Sequence, residues 1–155
     1  MARYSGNNDL AGTKQALSTS YKTLLTITAA TATLTRAMLL DLTIGTNGTP
    51  ADNVMEYDIS RVTALGTGTS GTLNPNDGTI RAAGSVLTLN HTAEPTVTAT
   101  SSLLYIGMNQ RATYRWVADP GGGFVIPATN LAGLAIRSKS AAYTGTASAT
   151  AHIEE

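Results

Sequence analysis

The sequence predicts an all-β protein: a jelly-roll-like β-sandwich of about eight strands with an extended N-terminal arm. Three observations lead there. Charged residues make up only 13% of the 155-residue chain, and much of the polar content is Thr, Ser, Gly and Asn. Threonine is branched at Cβ and favours a pleated backbone. Period-two alternation recurs in short runs divided by Gly-, Asn- and Pro-rich turn clusters, the pattern of a sandwich or barrel. No stretch carries a sustained helical period, and residues 11–18 make at most two turns. Numerous strands and several long connections favour the jelly roll over other sandwiches. The composition argues against disorder, which goes with few β-branched residues and high net charge.

Taken in order, residues 1–19 read as the arm: small and polar side chains with no period. The sandwich domain is then 20–155. Its first strand starts at Tyr21, where Tyr21, Thr23, Leu25 and Ile27 alternate with Lys22, Leu24, Thr26 and Thr28. Residues 29–33 form a small-residue connection. The clearest alternation follows, with Met38, Leu40, Leu42 and Ile44 on the inward face. Residues 45–50, containing Asn47-Gly48, are a turn. Met55, Tyr57 and Ile59 face inward on the next strand, opposite Glu56, Asp58 and Ser60. Residues 66–71 read as a flexible loop, 74–78 as a turn, 79–82 as a short extended piece and 86–89 as a strand. Residues 90–100 read as a loop or irregular edge, and 103–106 as a strand. Leu134 and Ile136 face inward near the C-terminus. Ala147, Ala149, Ala151 and Ile153 line the last strand, their small side chains implying close sheet contact.

The stretch 109–127 organises the expected packing. It holds the only Trp, Trp116, the only Phe, Phe124, and one of six tyrosines, Tyr114. Tyr114 and Trp116 share a face at period two and are expected to bury large apolar area. Asp119-Pro120 ends that strand. Gly121, Gly122 and Gly123 supply the freedom for a reversal, so that Phe124 returns on a hairpin beside Trp116. The predicted core is Met38, Leu40, Leu42, Tyr57, Tyr114, Trp116, Phe124 and Ile136.

Few residues suggest chemistry. The two histidines, His91 and His152, stand apart in sequence. His91 lies near Glu94, but a metal needs three or four ligands, so an exposed or interface position is the expectation. Glu56 and Asp58 share a strand face, as glycosidase acids sometimes do; a polar outer face paired to Arg61 or Arg36 is the simpler reading. The triple glycine lacks the Lys-Ser/Thr and the helix of a phosphate loop. The two Asn-x-Thr triplets, Asn47-Gly48-Thr49 and Asn90-His91-Thr92, are expected by chance in a Thr-rich chain and are read as turn and loop residues. No catalytic, cofactor or metal residue is assigned, and no enzymatic activity is expected. Zero net charge argues against a nucleic-acid partner, and no apolar run approaches a membrane span. With no cysteine there is no disulfide framework, which fits a product made in a cytosol. The low charge suits a protein packed into an assembly. The candidate interface residues are Arg3, Tyr4, Asn7 and Asn8 on the arm, with Arg111 and Arg115 beside the aromatic strand, arginine being enriched at interfaces.

The segments MARYSG, IGTNGTPADNVMEYDISR (44–61), NQRATYRWVADPGGGFVIPA (109–128) and RSKSAAYTGTASATAHIEE (137–155) resemble a family of small auxiliary capsid proteins of tailed bacteriophages, the decoration or cement proteins. The similarity runs along nearly the whole chain and rests on structural residues. The resemblance implies a jelly-roll or related β-fold and a homo-oligomer, with a trimer favoured. It also implies the major capsid protein as partner and a place on the outer surface of the virion capsid, after synthesis in the host cytoplasm. The alternative reading is a receptor- or carbohydrate-binding β-module of a phage tail or head fibre, which needs exposed aromatics in a groove.

Overall fold

A computed structural model describes residues 1–31, 33–142 and 145–155. Ala32, in the expected connection 29–33, and Tyr143 and Thr144, in the C-terminal stretch of resemblance, lie outside the described residues. The strands in chain order are β1 (Arg3–Asn7), β2 (Gln15–Ala16), β3 (Lys22–Ala29), β4 (Ala37–Asn47) and β5 (Val54–Ala64). Next come β6 (Thr67–Gly71), β7 (Asn74–Pro75), β8 (Ser85–Ala93) and β9 (Thr96–Asn109). The last are β10 (Tyr114–Val117), β11 (Phe124–Ile126), β12 (Gly133–Lys139) and β13 (Thr146–Glu154). The described residues contain no helix, so the turns of helix considered for 11–18 do not form; β2 lies there instead.

Two antiparallel sheets stack as a sandwich. One has the order β10-β4-β13-β1-β7, with β11 also on β4 and β2 also on β13; the other has the order β6-β8-β3-β12-β5-β9. The eight principal strands are β1, β3, β4, β5, β9, β10/β11, β12 and β13. In running order they lie 1-8-3-6 in one sheet and 2-7-4-5 in the other, which is the jelly roll. Strands β6, β7 and β8 come from the connection between β5 and β9 and widen both sheets on the side away from β10 and β9. The core between the sheets is aliphatic: Leu25, Ile27, Leu39, Leu42, Met55, Ile59, Leu87, Leu134 and Ile136 are all nearly inaccessible. The alanines of β13 and Ile153 are buried as their period predicted.

Residues 1–19 are not an extended arm. Strand β1 sits inside its own sheet, between β13 and β7, with Tyr4 opposite Ile153 and Pro75. Tyr4 is fully buried, and its hydroxyl donates to the Arg81 carbonyl at 3.1 Å. Leu17 is also in the core. The small, polar look of this segment misled because its alternation is short: Tyr4 and Gly6 point in, Arg3 and Asn7 out.

The alternation along β4 breaks once. Its pairing with β13 shifts between His152 and Ile153, leaving Leu40 as an extra residue between Leu39 and Asp41. A bulge changes which face each side chain takes. Leu42 and Ile44 therefore point inward as expected, but so do Ala37 and Leu39, while Met38 and Leu40 move to the half-covered outer side.

The expected Trp–Phe hairpin does not form either. Strands β10 and β11 do not pair with each other; both pair antiparallel with β4, β10 along 41–44 and β11 along 37–39. They are two halves of one edge strand, and residues 118–123 loop out between them. Gly122 N–H donates to Asp119 O at 2.7 Å, closing the loop, and Gly121 takes φ +80°. Excision of the loop brings Trp116 beside Phe124, with ring centroids 4.5 Å apart and planes 3° from parallel. Both rings are half-buried at the rim of the core, and Tyr114 is exposed. They are a lid on the sandwich edge, not its centre.

The six-stranded sheet covers part of its own outer face. Strands β5–β6 and β8–β9 form one long ribbon. Its halves lie on opposite sides of the β3–β12 pair. Its middle passes over the outer side of that pair, where Glu94 accepts from Thr23 N and Oγ1 and His91 meets Thr26 Oγ1. Gly66 marks the crossing; a Cβ there would lie 1.9 Å from the Ala93 carbonyl oxygen. Residues 66–71, read as a loop, are strand from 67 because the ribbon pairs through them. Of 90–100, read as a loop or an irregular edge, 96–100 are the irregularly paired start of the edge strand β9.

Candidate functional site

The outer face of the seven-stranded sheet carries a cleft of about 550 Å³. It is built by four neighbouring strands and one loop. Strand β1 contributes Arg3, β13 contributes His152 and Glu154, and the bulged part of β4 contributes Leu40 and Asp41. Strand β10 adds Arg115 and Val117, and residues 118–121 stand up as a wall. The bulge at Leu40 and the looped-out 118–121 make the concavity: without either, β4 and its edge strand would present a flat ladder.

Its charges are arranged rather than scattered. Arg115 Nε lies 3.0 Å from both carboxylate oxygens of Asp41, and its Nη2 donates to one of them. That guanidinium holds the Asp41 carboxyl below its ordinary range, and Asp41 in turn raises Arg115. His152 sits directly opposite Asp41 on β13 and adds to the same effect. Arg3 lies across from Glu154. Among the described residues, neither Arg3 nor Asp119 takes part in an ion pair, so the two present free charges of opposite sign at the rim.

The predicted interface residues divide. Arg3 and Arg115 come together in this cleft. Tyr4 is core, and Asn8 is 1% exposed, donating to Ala147 O and Asn90 Oδ1 and accepting from Ala149 N. Neither side chain is open to a partner: Asn8 ties the chain after β1 to β13, and the Tyr4 hydroxyl is held by the Arg81 carbonyl. Asn7 is exposed and its side chain accepts from Asp9 N. Arg111 pairs with Asp52 at 3.0 Å in the turn region, away from the cleft. Sequence reasoning missed Asp41, Asp119, His152 and Glu154 as neighbours of the arginines. The one local signal is Asp41 itself, an acid inside the run AMLLDLTIG.

A second polar cluster lies on the outer face of the other sheet. Asp58 is buried and receives hydrogen bonds from Ser102, Ser60 and Arg137 Nε, the last at 3.0 Å. Burial pushes its carboxyl up, but these donors together outweigh burial and hold it below the ordinary range. Glu56 pairs with Lys139 at 2.9 Å and is lowered by it. Arg137 and Lys139 lie over the Tyr21 ring at 4.6 and 4.9 Å. Burial, with Glu56 and Asp58, pushes the Tyr21 phenol up to about 12. Glu56 and Asp58 do share a face as expected, but their partners are Lys139 and Arg137, not Arg61 or Arg36. Arg61 instead donates to Val125 O in the opposite sheet. His91 is 1% exposed rather than a surface residue, because the ribbon crossing covers it.

Comparison of the chain with protein-family models, with curated proteins and with solved structures gave no match.

Proposed function

We propose that this chain is a structural, non-enzymatic virion protein that binds the outside of a tailed-phage capsid and stabilises it as a decoration or cement protein. The observation that carries this reading is the cleft on the outer sheet face. It is open and bordered by free charges of both signs, Arg3 and Asp119, on a rigid antiparallel frame. Such a surface suits a loop of a partner protein carrying opposed charges, and complementary charge sets orientation and specificity more than raw affinity. The partner is the major capsid protein. Self-association multiplies weak single contacts into avidity on a repeating lattice. The Arg115–Asp41 pair is fixed before any partner arrives, which lowers the ordering cost of binding.

The alternative receptor- or carbohydrate-binding reading needs an aromatic ring offered in a groove. One face of Trp116 lies against Phe124, and Trp116 is not among the residues lining the cleft. That weighs toward the capsid reading.

The test is co-sedimentation of the purified protein with capsids that lack it. Saturable binding at a fixed ratio to the major capsid protein is expected. Charge reversal by Arg3→Glu with Asp119→Lys is expected to weaken it at least tenfold while the fold persists. No saturable binding refutes the proposal.

A further inference from the structure

The sheet edges of this molecule are not equally protected. An unpaired edge strand is a template for another chain, and proteins blunt it with shortness, charge, proline or irregularity. Strand β7 has two residues and includes Pro75. Strand β6 is five residues long with two glycines. The β10/β11 edge carries Arg115 and is broken by the loop at 118–123. Strand β9 differs. It ends the six-stranded sheet, and among the described residues no strand pairs with its outer side. From Leu103 to Asn109 it reads LLYIGMN, with no charge and no proline, and its pairing with β5 is regular from Leu104 to Asn109.

We propose that this edge is a self-association surface. Residues 103–109 of β9 pair antiparallel with the same residues of a second copy, about a two-fold axis perpendicular to the sheet at Ile106. The sequence is self-complementary in that register. Antiparallel partners share a face, so each inward residue must meet an inward residue. Centring on Ile106 satisfies this: Leu104 meets Met108 of the second copy, and Ile106 meets Ile106. Leu104 and Met108 are only partly covered in the single chain although they pack against its core; pairing covers each with the other. On the outer side, Tyr105 meets Gly107 of the second copy. Tyr105 is 57% exposed, and the nearest atoms to a Cβ at Gly107 are those of the Tyr105 ring itself, 4.0 Å away. An aromatic ring laid across an edge glycine is a known way to stabilise such a strand.

The charges point to a second copy as the occupant. A two-fold axis sets identical groups near one another, so any charge in 103–109 would repel its own image. There is none, whereas the β10/β11 edge would bring Arg115 close to its symmetry mate. The contact joins two six-stranded sheets into a continuous one and is isologous. Seven residues span about 24 Å of edge. That is a small interface, so association is expected in the micromolar to submillimolar range. The two-fold arrangement differs from the trimer implied by the resemblance. It also stands apart from the capsid proposal, because it is tested on the purified chain alone.

The experiment uses the full chain by sedimentation velocity from micromolar to submillimolar concentration, with the Tyr105→Lys variant alongside. The wild type is expected to show a monomer–dimer equilibrium, and Tyr105→Lys to weaken it at least tenfold with unchanged circular dichroism. The chain has no cysteine, so a second measurement reports register without interference. Tyr105→Cys and Gly107→Cys proteins, oxidised as a mixture, are expected to cross-link to each other faster than either does alone. A wild type that stays monomeric, a dimer unaffected by Tyr105→Lys, or cross-linking no faster in the mixture would each overturn the proposal.

Discussion

Replacing Asp58 with alanine tests whether the outer face of the six-stranded sheet is held by its buried ion pair. The Asp58 side chain is 5% exposed and that of Arg137 19%. Besides Arg137, the carboxylate accepts from the hydroxyls of Ser60 and Ser102. The substitution strands a largely buried guanidinium and two serine donors. Breaking a buried pair by removing one partner costs about 3–5 kcal/mol, because the remaining charge stays desolvated. A kilocalorie is about 2–4 °C of Tm in a domain of this size, so the loss is roughly 6–20 °C. The sign with pH follows from the lowered carboxyl. A depressed folded-state value means stabilisation that is complete above the ordinary value of 3.8 and is lost as pH falls through the lower folded value. Urea unfolding at pH 7 and at a series of acidic pH values reads both. The double variant Asp58→Leu/Arg137→Met is expected to recover part of the loss, since an apolar replacement leaves no orphan charge. A loss under about 1 kcal/mol at pH 7 would mean that Arg137 escapes to solvent or to the Tyr21 ring, and would refute the reasoning.

Three further outcomes are expected. Trp116 emission should be blue-shifted and partly quencher-resistant, and Phe124→Ala should shift it to the red and cost at least the roughly 0.5–1.5 kcal/mol of a stacked pair; unchanged emission would contradict the stack. Glu155→Gln should cost about 1.5–3 kcal/mol in urea unfolding. Its buried carboxylate accepts from Gly84 N at 2.9 Å and Ser85 N at 2.7 Å, with Arg81 nearby. The imidazole of His91, lowered chiefly by its burial, should make stability fall as pH drops below its ordinary value of 6.5, because the unfolded chain takes up the proton first. A His91→Gln variant should lack that decline, and an identical pH profile for both proteins would exclude His91 as its source.

Much of the fold was legible because sandwich strands obey a local rule. Threonine-rich alternation and turn clusters marked most strands, and the alanine period of β13 named its buried face correctly. Misreadings arose where one residue changes phase. At Leu40 a bulge set by register against β13 moved Met38 and Leu40 outward, and nothing within β4 announces it. At 118–123 the same Pro and Gly residues serve a hairpin or a looped-out insertion equally well; pairing with β4 chose the second. The polar ribbon around Gly66 and Pro95 looked like loops because its partner lies about 30 residues away.

The candidate site was less legible than the fold. Arg3 and Arg115 were singled out as residue types, but they share one cleft only because β1, β13, β4 and β10 lie side by side in the jelly-roll order. Asn8 and Tyr4 looked like surface residues for want of local apolar company, yet the sheet buries them.

Sequence alone determined the all-β class, the main strands and the low-charge surface. These follow from side-chain branching, period and composition, which act between neighbours in the chain. Tertiary structure decided the bulge phase, the partner of each ion, the burial of the first residues and the edge left bare. Each of those depends on a register between distant strands, and local sequence carries no term for it.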